Sequence, residues 1–126
     1  MSLPNKIGFV LLKLFTTFLI SILLFITPIT SNAATASYYG KGFHLKRTAS
    51  GEIFDMHKMT TASNSHKMGT MLEVTNVANN KKVRVRVNDT GNFTKYGRTL
   101  DLSRGAFAKI SDLDKGLCKV KIRVIK

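Results

Sequence analysis

Hydropathy over residues 34–126 has mostly a period of two rather than 3.6 residues, which points to half-buried β-strands. In Lys82–Val87 the residues Val83, Val85 and Val87 share one parity, and Arg84 and Arg86 the other. Successive side chains of a strand point to opposite faces, so the valines line one face and the arginines the other. Lys119, Lys121 and Arg123 alternate in the same way with Val120, Ile122 and Val124. Thr70–Val77 sets Leu72 and Val74 against Glu73 and Thr75, and Ala78-Asn79-Asn80-Lys81 reads as the hairpin turn into the next strand. Shorter strands are expected at Thr35–Tyr39, Met59–Ala62 and Arg98–Leu102. One helix fits, with Ser103 as N-cap and Phe107 and Ile110 on one face, after which Asp112 to Gly116 turns the chain into the last strand. About six short strands, one short helix and one hydrophobic set predict an all-β fold, a small closed barrel.

The N-terminus has a different character. Lys6 and Lys13 flank an uncharged, mostly apolar run from Leu14 to Thr27, Pro28 follows, and Ser31-Asn32-Ala33 offers small residues at the positions a signal peptidase reads. Residues 1–33 are therefore expected to be a cleaved secretory signal, with Ala34-Thr35-Ala36 as a second small-residue site. The competing reading is a retained anchor, because the apolar segment from Ile7 approaches the roughly 20 residues needed to span a bilayer. The one cysteine, Cys118, is far from any site of N-terminal lipid attachment. The expectation is an exported protein of the periplasm or cell-wall space, soluble after cleavage and without a stable membrane anchor.

Removal of residues 1–33 leaves 93 residues, enough for one domain (34–126), and a monomer is expected. The chain carries a net charge of +13; without Lys6 and Lys13 it is +11, a field that attracts polyanions and weakens with salt. Outside the cytoplasm the plausible anions are cell-wall polymers and lipid head groups. No nucleic-acid motif accompanies the charge, so nucleic acid is not an expected partner. Cys118 cannot form an internal disulfide and shares the parity of Val120 and Ile122, which predicts a buried small hydrophobe.

From Thr35 onward four motifs stand in order: Ala36-Ser37-Tyr38-Tyr39-Gly40, Thr48-Ala49-Ser50-Gly51-Glu52-Ile53-Phe54-Asp55-Met56, Val87-Asn88-Asp89-Thr90-Gly91 and Gly97-Arg98-Thr99-Leu100-Asp101-Leu102-Ser103. In these the chain resembles the double-psi β-barrel domain of the rare lipoprotein A (RlpA) family, and is distantly similar to expansins. The resemblance implies a six-stranded double-psi barrel with one short helix. It further implies binding to peptidoglycan glycan strands and their cleavage, without water, between N-acetylmuramic acid and N-acetylglucosamine to leave a 1,6-anhydro end. The lipid attachment and separate peptidoglycan-binding domain of longer relatives are not carried over.

A transglycosylase protonates the glycosidic oxygen and removes a proton from the sugar's own 6-hydroxyl, work suited to a carboxyl group of raised pKa. That chemistry requires no metal or organic cofactor, and His44, His57 and His66 read as scattered rather than as ligands. Asp89 is the first catalytic candidate, since a strand with the parity of Val83, Val85 and Val87 delivers it where the chain leaves the sheet; a turn-forming role in Asn88-Asp89-Thr90-Gly91 is the alternative. The resemblance adds Glu52 and Asp55 as catalytic candidates, while Asp101, beside the helix entry, reads as structural. Ser63 stands where the family has its active-site histidine, and Thr90 where it has an arginine. A serine hydrogen-bonds a sugar or orients a carboxylate but cannot carry the imidazole's charge. Ser63, Thr90, Tyr39 and Tyr96 are the expected substrate-binding residues, the tyrosines because aromatic rings stack on sugar faces. Two functions follow: a lytic transglycosylase, or a non-catalytic peptidoglycan-binding or wall-loosening module of the expansin type.

Overall fold

The computed structural model describes residues 33–126. The expected signal segment lies outside the described residues, apart from Ala33. Six strands form: β1 Ala34–Tyr39, β2 Thr60–Ser63, β3 Met71–Asn76, β4 Lys82–Asp89, β5 Leu100–Ser103 and β6 Leu117–Val124. They close into one barrel in the order β1-β5-β2-β4-β3-β6. β1 pairs in parallel with β5 and β2 in parallel with β4, while the remaining neighbours are antiparallel. Parallel partners need long crossovers, and the two that cross here give the double-psi arrangement.

Alternation places the core as expected. Val83, Val85 and Val87 turn inward to join Ala36, Leu72, Val74, Leu100, Leu102 and Val120, while Lys82 and Arg84 face solvent. Phe107 and Ile110 of the helix α1, Arg104–Ile110, plug one side of this core and are fully buried. The helix is held at both ends. Ser103 Oγ accepts from Ala106 N at 3.1 Å and donates to Lys58 O at 2.6 Å. At the other end the side-chain amides of Asn76 and Asn79 both donate to Ile110 O, at 2.8 and 2.9 Å, so the β3–β4 turn caps the helix. Gly105 is fixed by close approach, because a Cβ there would meet His57 O at 2.8 Å.

Two departures from simple alternation have physical causes. The β2–β4 register shifts between Thr61 and Ala62, so that Thr61 opposes Val87 and Ala62 opposes Asp89. Asn88 is the extra residue of this bulge and becomes buried directly after Val87, which leaves Asp89 half-buried at the barrel mouth rather than in the valine row. In β6, Val124 is 58% exposed although its parity matches buried Val120. β1 pairs with β6 only as far as Val120, so beyond it β6 has β3 alone as a neighbour and no wall closes over its apolar face. Cys118, expected to be buried, is half-buried, and partial burial pushes its thiol pKa up, away from the reactive thiolate.

The segment between β1 and β2 is a short ribbon. Leu45 N donates to Phe54 O and Phe54 N to Lys46 O, each at 2.8 Å, and Arg47 bridges Ile53. Gly51, with φ of 87°, makes the turn at its tip. Phe54 is the ribbon's anchor and is 1% exposed.

Candidate functional site

β2 runs between β4 and β5, and Ala62 has Asp89 on one side and Asp101 on the other as cross-strand neighbours. At the usual spacing between strands the two acidic backbones stand about 10 Å apart. Only the methyl group of Ala62 occupies the strand position between them, and it forms the floor of an open groove of about 330 Å³. Tyr39, Thr90, Tyr96 and Arg98 line its walls with the two aspartates, and Phe43 and Phe93 add apolar surface.

Asp89 is held by three donors. Its Oδ2 accepts from the Tyr39 hydroxyl at 3.2 Å, and its Oδ1 from Ala49 N and Thr90 N at 2.9 Å each. The Tyr39 ring stacks on Phe54 with centroids 4.3 Å apart and 14° between planes, which fixes the phenol's aim. Burial, and then the nearby Asp89 carboxylate, push the Tyr39 pKa far above its ordinary value, so the phenol keeps its proton and acts as a donor.

Asp101 has a different environment. Its Oδ1 accepts from Ser37 Oγ at 2.9 Å, and that oxygen in turn accepts from Arg98 Nη1 at 2.9 Å. Burial raises the Asp101 pKa and the charge of Asp89 adds to the rise; the Ser37 hydrogen bond and Arg98 oppose it without cancelling it. Burial thus makes Asp101 harder to ionise than a free carboxyl. Its place beside the helix entry does not by itself announce this environment. The available signal is its parity, opposite to that of buried Leu100 and Leu102.

Tyr96 is 68% exposed, with Lys95 Nζ 5.1 Å and the Arg98 guanidinium carbon 5.5 Å from its ring centroid. It belongs to a 3-10 turn, Asn92–Tyr96, that sequence periodicity does not announce and that Gly97, at φ of 77°, ends.

Of the seven expected site residues, the structure brings Asp89, Tyr39, Thr90 and Tyr96 to this groove. Ser63 is not among its lining residues. It is buried, and its Oγ is 2.8 Å from Nδ1 of His66, so the imidazole three residues on meets the serine outside the groove lining. Glu52 and Asp55 also fall outside that lining. Glu52 binds Arg86 through both oxygens, at 2.7 and 2.8 Å, and this guanidinium holds its pKa below the usual carboxylate range. Asp55 Oδ1 accepts from His57 N at 2.9 Å. The histidines are less scattered than their spacing suggests: His44 and His57 converge with Asp55, their ligating atoms lying within 4.8 Å of one another.

A closed double-psi barrel with a carboxylate-lined groove at its mouth is the class of protein these features define. The chain belongs to the lytic transglycolase family, whose model matches residues 31–122. It is 44% identical over 90 residues to the endolytic peptidoglycan transglycosylase RlpA of Campylobacter jejuni, a match covering 71% of this chain and 32% of that protein. It is 43% identical over 95 residues to the protein of the same name from Vibrio cholerae, covering 75% of this chain and 36% of that one. The chain thus spans about a third of the length of these curated relatives. Among solved structures, an expansin of Clavibacter michiganensis in complex with cellohexaose superposes with a TM-score of 0.58 at 23% identity, covering 75% of this chain and 50% of that one. The Streptomyces papain inhibitor does so at 0.61 and 22%, covering 75% of this chain and 93% of that one; both likenesses concern the fold.

Proposed function

We propose that this protein is an endolytic peptidoglycan transglycosylase that works outside the cytoplasm, cleaving between N-acetylmuramic acid and N-acetylglucosamine without water. The observation that carries this reading is the pair of unlike carboxyl groups on either side of Ala62. Asp101, whose pKa burial raises, donates its proton to the glycosidic oxygen as the C1–O bond breaks. Asp89, aimed by three donors, faces the positive charge that develops on the sugar and takes the proton of the 6-hydroxyl as that oxygen bonds to C1. The products are a free 4-hydroxyl and a 1,6-anhydro ring, and the exchanged protons balance. Tyr96 offers an exposed face to a sugar ring, and Arg98 a charge to its acidic substituents.

Glu52 acts in this scheme as a positioning residue. Its double bond to Arg86 ties the ribbon to β4, and the same ribbon supplies Ala49 N to Asp89. Asp55, beyond Phe54, helps shape the turn behind the Tyr39 stack.

Relatives named endolytic peptidoglycan transglycosylase support the reading. Its test is product analysis on isolated sacculi treated with the exported protein: anhydro-muropeptides are expected by mass spectrometry, and none from Asp101→Asn or Asp89→Asn. Release undiminished in both variants overturns it. A second reading, a glycan-binding and wall-loosening module, draws on one observation: no histidine is among the groove-lining residues. Sacculus binding without new products favours it.

A further inference from the structure

The three histidines and the one cysteine of this chain all lie among the described residues. Two of the histidines meet an acid away from the groove lining. One ligating atom each from His44, Asp55 and His57 lies within 4.8 Å of the other two, and the imidazole centroids are 5.6 Å apart at 73°. We propose that these three residues bind a divalent cation of the zinc class.

The backbone under them is already arranged. His44 and Asp55 stand on opposite arms of the ribbon that the Leu45–Phe54 and Phe54–Lys46 bonds hold in register. His57 lies between two pinned carbonyls, Met56 O receiving Gly105 N at 2.8 Å and Lys58 O receiving Ser103 Oγ at 2.6 Å. Asp55 Oδ1 takes His57 N at 2.9 Å, which sets the tilt of the carboxylate. Tetrahedral zinc holds its donors roughly 3.3 Å apart, so side-chain rotations of an ångström or so complete the site. One existing bond is given up, the Met56 N–H to His44 Nδ1 contact at 3.2 Å. A metal on Nδ1 displaces that amide, and a metal on Nε2 puts the ring proton on Nδ1, facing it.

Ligand chemistry selects the cation. Two imidazoles and a carboxylate suit zinc and its neighbours, whereas calcium and magnesium ask for several oxygen ligands. The basic surroundings, Lys46 and Lys58 and a chain charge of +13, weaken any purely electrostatic capture. Three protein ligands leave the fourth position to water. A bound ion ties together the two arms that carry Phe43 and Phe54, and Phe43 lines the groove while Phe54 stacks on Tyr39.

The test titrates Zn2+ into the full chain, stripped with a chelator, by calorimetry, with Co2+ absorption as a readout of geometry. Saturation at one ion per chain, a tetrahedral Co2+ spectrum and a thermal midpoint that climbs with Zn2+ are expected. His57→Ala, at an exposed position, weakens binding at least about tenfold, as do His44→Gln and Asp55→Asn, whereas His66→Ala and Cys118→Ser leave it unchanged. Absence of binding, equal binding in His57→Ala, loss in His66→Ala or Cys118→Ser, or an equal response to Mg2+ each overturns the site. If His44→Gln fails to fold, His57→Ala decides.

Discussion

The hydroxyl of Tyr39 donates to Asp89 Oδ2 at 3.2 Å from a ring that cannot swing, because it is stacked flat on Phe54. A β1 side chain thereby aims a carboxylate at the end of β4, on a strand that is not its neighbour in the barrel. Tyr39→Phe keeps the stack and removes one of three donors. Release of anhydro-muropeptides should fall about tenfold, with the thermal midpoint nearly unchanged. Tyr39→Ala removes the stack as well and should lower both.

Asp101 separates stability from activity. Its folded pKa is raised, so ionising it costs stability, and that cost appears as pH rises from the unfolded pKa, about 3.9, through the folded value. Asp101→Asn removes the cost. At pH 7 the variant should be as stable as the parent or more so, with the gap closing as pH falls below about 4. It should nonetheless release no anhydro products at any pH. In the parent, turnover should decline on the alkaline side as Asp101 gives up its proton. Thermal melts and product release measured across pH check both limbs.

Glu52 shows the opposite sign. Its folded pKa is lowered by Arg86, so the pair stabilises above the unfolded pKa, and the contribution disappears as pH falls through the folded value. Both side chains are more than a third exposed, at 36% and 39%, and solvent screening limits the pair to about 0.5–1 kcal/mol. Glu52→Gln should lose that much at pH 7 and nothing in strong acid, which denaturant titrations at the two pH values will read. Turnover should fall modestly, as befits a residue that acts through Ala49.

The exterior of β3, β4 and β6 is a basic surface. Lys82, Arg84, Lys121 and Arg123 are exposed around Glu73, the one acidic residue of β3 and β6. Glu73 is already engaged by Lys82 at 3.7 Å and Arg123 at 3.2 Å. Sacculus pull-down should therefore weaken steeply between low and physiological salt. Lys121→Glu should weaken it further at low salt without changing the thermal midpoint by more than a degree or two.

Gly105 is required by the approach of the ribbon to the helix. Gly105→Ala drives a Cβ to 2.8 Å from His57 O, a backbone atom with little room to yield. A loss of about 1–3 kcal/mol is expected in chemical denaturation.

Local order is legible in the sequence. The alternating runs specify β3, β4 and β6, Ser103 specifies the start of the helix, and the asparagine-rich turn specifies the hairpin, because each of these depends on neighbours a few residues away. Four spaced motifs also identify the family and bring Asp89, Tyr39 and Thr90 forward as site residues, with Tyr96 added as a neighbouring aromatic ring.

Only the tertiary structure decides the rest. The Asn88 bulge shifts Asp89 out of the valine row because β4 must register with β2, a partner more than twenty residues away in the chain. The Asp101 pKa is raised chiefly by burial, against the Ser37 hydrogen bond and Arg98, and its own strand records none of these. Glu52 is tied to Arg86, and Ser63 to His66, by folded-state distances that spacing leaves open. Parity and capping are set by covalent neighbours and survive in a string of letters. Proton affinity and the meeting of distant side chains are set by what the closed barrel places around them, and exist only once it has closed.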